Sequence, residues 1–307
     1  MKTAFLFSGQ GAQKLGMAKD LYDEFDIVRE TFDQASQVLG YNLRELIDND
    51  ETKLNETQYT QPAILTTSVA ILRLLSEQGI KPDLVAGLSL GEYSALVASG
   101  ALDFAEAVAL VAKRGQYMTE AAPTGSGKMV AVMNTEAALI EEICEQAAER
   151  GIVSPANYNT PAQIVIGGQA EAVDYAVELL KEAGVKRLIE LKVSGPFHTA
   201  ILKPASEKLA KELEQVNFNS FKLELISNTT AKVMKDSEVK ELLTRQVMEP
   251  VRFYESIETM KALGVQRFIE VGPGKVLSGF IKKIDKEASF TNVENLTSFK
   301  VLVTEEA

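Results

Sequence analysis

Leu84-Val85-Ala86-Gly87-Leu88-Ser89-Leu90-Gly91-Glu92-Tyr93 is the stretch whose reading decides the fold. Lys81-Pro82-Asp83 breaks the chain ahead of it, residues 84–87 form a short apolar strand, and residues 92–99 have helical character. Between strand and helix, Gly87-Leu88-Ser89-Leu90-Gly91 fits G-x-S-x-G, a sharp turn that exposes a serine hydroxyl at a helix N-terminus. Backbone N–H groups and the helix dipole there favour a developing negative charge. The simpler alternative is that Gly87 and Gly91 let a helix start close to a strand, with Ser89 as its N-cap. Either way, strand followed by helix makes this an α/β protein.

Outward from the elbow, residues 3–7 read as a buried strand and residues 9–13, Gly-Gln-Gly-Ala-Gln, as a loop. In residues 61–78, Ile64, Leu65, Val69, Leu72 and Leu75 draw a helical stripe that stops at Gly79. The rhythm then changes. Strand-like runs at 129–133, 152–156, 163–167 and 187–193 alternate with helical patterns at 136–150 and 170–183, in the order βαββαβ of a ferredoxin-like unit. The expected architecture is an α/β-hydrolase-like catalytic domain from residues 1–124 and 196–307, with residues 125–195 inserted as a ferredoxin-like subdomain.

The 307 residues, 46% apolar and 24% charged, suit a globular enzyme rather than a disordered chain. No apolar run is long enough for a signal peptide or a membrane span, so a cytoplasmic protein away from the membrane is expected. A net charge of −11 argues against nucleic acid, and an acidic partner would have to meet a local cluster. The candidates are Lys181, Lys186, Arg187 and Lys192; Lys203, Lys208 and Lys211; and Lys275, Lys282 and Lys283, each equally readable as a solvated face. One cysteine and one histidine cannot assemble the usual zinc or copper ligand sets, so metal catalysis is not expected. Cys144 shares a helical face with Ile140, Ile143 and Ala147 and reads as a core thiol. No long apolar stripe demands an assembly, and a monomer is expected. The Gly-Lys strings at 125–128 and 272–275 lack the remaining residues of a phosphate loop.

The single histidine, His198, follows Ser194-Gly195-Pro196-Phe197, a turn directly after a strand-like run. It is either an imidazole packed in a loop or the general base for Ser89, although no acidic third member of a triad stands out. Arg114 shares a helical face with Ala107, Leu110, Val111 and Met118, so a cation interrupts an apolar stripe. It needs an anion, and on the residues alone an internal carboxylate is favoured over one on a substrate.

Seven separated segments, in one order along nearly the whole chain, carry a more specific signal. They are Phe7-Ser8-Gly9-Gln10-Gly11-Ala12-Gln13, the elbow with Glu92-Tyr93, Arg114-Gly115, Asn157-Tyr158-Asn159-Thr160-Pro161, Pro196-Phe197-His198, Arg245-Gln246-Val247, and Glu270-Val271-Gly272-Pro273-Gly274-Lys275-Val276-Leu277. In these the chain resembles the malonyl-CoA:acyl carrier protein transacylases of fatty-acid synthesis. The resemblance implies that malonyl-CoA acylates Ser89 and that the acyl group passes to the phosphopantetheine thiol of acyl carrier protein, with His198 as base. It implies backbone N–H donors to the oxyanion from Gln10 and Leu90. Arg114, Gln246, Asn157, Asn159 and Phe197 form the implied substrate-binding set: Arg114 holds the malonyl carboxylate and the main-chain carbonyl of Gln246 orients the histidine. Asn157 and Asn159 match positions near the coenzyme A pantetheine, and equally read as turn residues beside Pro161. Phe197, bulkier than the residue of branched-acyl relatives, implies malonyl over methylmalonyl. No cofactor is implied beyond the coenzyme A of the substrate. One departure stands out, since Leu88 occupies the position before the nucleophile where the family commonly has histidine. A hydrolase using water as acceptor, or a silent homologue that only docks a carrier protein, are the rival readings.

Overall fold

The computed structural model describes residues 1–306. Its larger sheet contains β1 (Lys2–Phe7), β2 (Leu84–Gly87), β7 (Glu224–Leu225), β8 (Val265–Val271) and β9 (Ser289–Val293), all parallel, in the order β7-β2-β1-β8-β9. Strands from both sides of the βαββαβ segment therefore share one sheet. Ala4, Phe5, Leu6 and Phe7 of β1 are all buried, because helices cover both faces of a parallel sheet. The alternation of side chains sorts them into two layers. Phe5, Phe7, Val85, Ile269 and Val271 enter the core around the long helix Thr57–Glu77, while Ala4, Leu6, Leu84, Ala86 and Phe268 pack with Phe253, Ile257 and Ile281 on the other side.

The second sheet is antiparallel and is built from β3 (Lys128–Met133), β4 (Val153–Thr160), β5 (Gln163–Gly168) and β6 (Leu188–Glu190), ordered β4-β5-β3-β6. Its helices, Ala137–Ala147 and Ala170–Glu182, share one core with Val130, Val132, Ile164 and Ile166. Cys144 lies in that core, and burial pushes its thiol up to about 12. The opposite face carries Met129, Ala131, Ala156 and Val165. Met129 and Val165 on that face line the main cavity, so the period of two in this sheet supplies one wall of the site.

Two elements differ from the sequence expectation. The last strand, expected over residues 187–193, pairs only over Leu188–Glu190, and the following residues leave the ladder to line the cavity. The second strand of this sheet runs on to Thr160, although Asn157-Tyr158-Asn159 reads as a turn. Tertiary pairing overrides the propensity of asparagine here: the Tyr158 N–H donates to Val251 O at 2.8 Å and the Val251 N–H to Ala156 O at 2.9 Å. Among the described residues no helix is long and apolar enough to cross a membrane.

Two glycines of the elbow are demanded by close backbone approach. A Cβ on Gly91 would lie 2.1 Å from Phe7 O, and one on Gly87 would lie 2.0 Å from Gly91 C. Neither neighbour is a side chain that can swing away. Gly91→Ala is therefore expected to destabilise the protein by about 2–3 kcal/mol through overpacking, read as a lower urea midpoint; an unchanged midpoint would mean that β1 and the following helix can part freely.

Candidate active site

Ser89 occupies the elbow with φ 53°, a left-handed conformation that aims its side chain away from the helix it precedes. The capping alternative is thereby ruled out, because no side chain caps the helix Gly91–Ala98. Asn228, in the loop after β7, fixes the turn. Its Oδ1 accepts from the Ser89 N–H at 2.7 Å and its Nδ2 donates to Gly87 O. Ser89 Oγ lies 2.8 Å from His198 Nε2, and His198 Nδ1 lies 2.7 Å from the main-chain oxygen of Gln246. A carbonyl only accepts, so Nδ1 carries the proton and Nε2 presents its lone pair to the serine hydroxyl. Gln246 ends the helix Val239–Gln246, where carbonyls lack intrahelical partners.

His198 is buried and also sits at positive φ, 59°. Burial, reinforced by the Arg114 charge, lowers its pKa to about 4 against the opposing pull of main-chain acceptors. The imidazole is thus neutral at physiological pH, as a base must be.

Arg114 is fully buried beside this pair. Its Nη1 donates to Gln61 Oε1 at 2.8 Å, and its Nη2 to Gln246 Oε1 at 2.9 Å and Ser89 Oγ at 3.3 Å, with the guanidinium carbon 5.3 Å from the Tyr93 ring centre. Among the described residues no carboxylate forms an ion pair with it, a departure from the internal carboxylate favoured on the residues alone: neutral amides hold the guanidinium directly. Its Nε has no hydrogen-bond partner.

A cavity of about 660 Å³ opens over the serine, lined among others by Gln10, Ser89, Asn157, Asn159, Phe197 and His198. Asn157 and Asn159 are two apart on β4 and reach it from the smaller sheet. Asn159 is 8% exposed, and its Oδ1 has no partner although its Nδ2 donates to Gln163 Oε1. Leu88 and Phe280 add apolar wall. Gln10 sits on the loop after β1, which presses on the elbow so closely that a Cβ on Gly9 would lie 2.3 Å from Leu88 O. Its side chain donates to Thr57 Oγ1 at 3.1 Å and Ser194 Oγ at 3.3 Å. The backbone N–H groups of Gln10 and Leu90 find no acceptor among the described residues, whereas those of Leu88, Ser89, Gly91 and Glu92 do.

The structure thus brings Ser89, His198 and Arg114 into contact and sets Gln10, Asn157, Asn159 and Phe197 around one cavity. Gln246 turns its main-chain oxygen to His198, as the resemblance implies, while its carboxamide, in a residue 1% exposed, is spent on Arg114, Ser89 O and Glu92 rather than facing the cavity. A family model described as the acyl transferase domain matches residues 4–301. The malonyl CoA-acyl carrier protein transacylase of Bacillus subtilis is 48% identical over 288 residues, 93% of this chain and 91% of that protein. The chain belongs to the malonyl CoA-acyl carrier protein transacylase family.

Solved structures agree. A crystal structure of MCAT from Streptococcus pneumoniae superposes with a TM-score of 0.98 at 67% identity, covering 99% of this chain and all of that one. Another, at TM-score 0.96 and 42% identity over 99% of this chain and 100% of that one, is a malonyl-transacylase in complex with its type II PKS acyl-carrier protein. Within this transacylase the sequence reading missed Gln61, Glu92 and Asn228. Glu92 stood in plain view directly after the elbow, and Gln61 opens an apolar helical stripe. Asn228, in the polar run Ser227-Asn228-Thr229-Thr230, offered no pattern at all.

Proposed function

We propose that this protein moves a malonyl group from coenzyme A to the phosphopantetheine thiol of acyl carrier protein through an ester on Ser89. The observation that carries the reading is that one hydroxyl, Ser89 Oγ, lies 2.8 Å from a neutral imidazole nitrogen and 3.3 Å from a buried guanidinium. The imidazole makes the hydroxyl a nucleophile, and the guanidinium selects an acyl group that ends in a carboxylate.

The Ser89 proton passes to His198 Nε2 as Oγ bonds to the thioester carbon. The resulting oxyanion is met by the free N–H groups of Leu90 and Gln10, the first at a helix N-terminus. Nδ1–H stays bonded to Gln246 O, which supports the imidazolium with a dipole rather than a full charge. Collapse breaks the carbon–sulfur bond, Nε2–H protonates the coenzyme A thiolate, and the malonyl ester remains on Ser89. The carrier thiol then gives its proton to Nε2, attacks the ester carbon, and Ser89 Oγ leaves with that proton. The unpartnered Oδ1 of Asn159 suits an amide N–H of the pantetheine arm that both thiols carry. Phe197 narrows the cavity beside the acyl group, in keeping with malonyl over methylmalonyl.

Incubation with malonyl-CoA followed by intact-mass measurement is expected to show one malonyl adduct on the wild-type protein and none on Ser89→Ala. A wild-type protein that stays unmodified would sink the proposal.

A further inference from the structure

Glu92 has no part in the steps above, yet it is a fully buried carboxylate a single residue past the elbow. Its Oε1 accepts from the Asn228 N–H at 2.7 Å and its Oε2 from Gln246 Nε2 at 2.9 Å, while Gln246 Oε1 accepts from Arg114 Nη2 at 2.9 Å. A guanidinium only donates and a carboxylate only accepts, so the carboxamide between them has one workable orientation. Cation and anion are held one amide apart rather than closed into a salt bridge. Direct contact would occupy the donors of Arg114 with an internal carboxylate. At one remove, Glu92 offsets the buried cation without taking up its Nη2 donor beside Ser89 Oγ.

The geometry points to Glu92 as the standing counter-charge of Arg114, a positioning residue that stabilises the guanidinium in the empty enzyme and is displaced electrostatically when a substrate carboxylate arrives. This rests on the reading of Arg114 as the receiver of that carboxylate. The groups facing Glu92 are Arg114 from the helix Phe104–Ala121, the neutral amides of Asn228 and Gln246, and Tyr93 on its own helix, whose hydroxyl burial pushes up to about 12. Burial already raises Glu92 to about 7, with Asn228, Gln246 and Arg114 pulling the other way. A substrate carboxylate that draws on the Arg114 field weakens that pull, and Glu92 then takes up a proton.

The test uses Ser89→Ala protein, so that binding is read without acyl transfer, and isothermal titration at pH 7.5 in buffers of different ionisation enthalpy. Malonyl-CoA is expected to bind with uptake of about half a proton, and acetyl-CoA with none. Adding Glu92→Gln should abolish the uptake and tighten malonyl-CoA by about tenfold while leaving acetyl-CoA unchanged. A merely structural Glu92 would instead weaken both thioesters alike and leave the uptake in place, which overturns the proposal. Should the Glu92 variant fail to fold, the Ser89→Ala comparison decides alone, since equal proton uptake for the two thioesters overturns it. Malonyl-CoA that binds tighter than acetyl-CoA without proton uptake refutes Glu92 and spares Arg114. Equal affinity for the two refutes both.

Discussion

His198→Ala is expected to lower kcat/KM for malonyl transfer by about 10⁴- to 10⁶-fold, the range seen when a catalytic imidazole is removed from a serine nucleophile. The drop should lie at the severe end because the chain has no second histidine to compensate. Leu88 stands where relatives of the implied pattern place one, and its side chain lines the cavity as hydrocarbon. Rapid-quench measurement of Ser89 acylation separates this loss from any effect on carrier-protein binding. A variant that retained even a hundredth of the wild-type acylation rate would remove His198 from the role of base. The wild-type pH profile adds a signature. With the imidazole lowered to about 4, kcat/KM should hold as pH falls from 7 to 5 and give way only on approach to 4. An ordinary histidine would titrate near 6.5. The sign for stability follows from the same shift: between about 6.5 and 4 the unfolded chain binds the proton that the folded one refuses. The contribution of His198 to stability is whole above that window and declines as pH falls through it.

Arg114→Ala should invert substrate choice rather than abolish chemistry. Loss of a buried, charge-assisted grip on a carboxylate is expected to cut kcat/KM for malonyl-CoA by about 10²- to 10³-fold. Acetyl-CoA has no carboxylate to miss and should react as well as before or better. The substitution also leaves Gln61 Oε1 and Gln246 Oε1 without their donor, so a lower Tm should accompany the change in selectivity. Steady-state comparison of malonyl-, methylmalonyl- and acetyl-CoA on both proteins reads the effect directly. Malonyl preference that survives the substitution would show the carboxylate is held elsewhere.

Much of this could be read from the sequence because the signals were local. The elbow, the βαββαβ rhythm and the stripe broken by Arg114 each lie within a few tens of residues, and each has a period or a fixed spacing. The carbonyl of Gln246 beside His198 was named only through the family resemblance, not from any local signal, and for a physical reason. It is a main-chain carbonyl, which every residue type supplies, and only its place at the end of a helix makes it available. The partners of Arg114 were misjudged because a buried cation suggests a carboxylate, whereas glutamines 53 and 132 residues away in sequence supply the contacts. Asn228 reaches Ser89 across 139 residues, a contact set by how the sheet is wound rather than by any local motif. Asn157 and Asn159, which line the cavity, were not legible as strand, because pairing with Val251 comes from the far end of the chain.

Ser89 and His198 both have left-handed backbone, at φ 53° and φ 59°. Glycine would accept either conformation with less strain, by roughly 1 kcal/mol at each position. Backbone strain alone would therefore favour glycine at both. The two side chains that meet at 2.8 Å are thus held at positions where the backbone least favours a side chain.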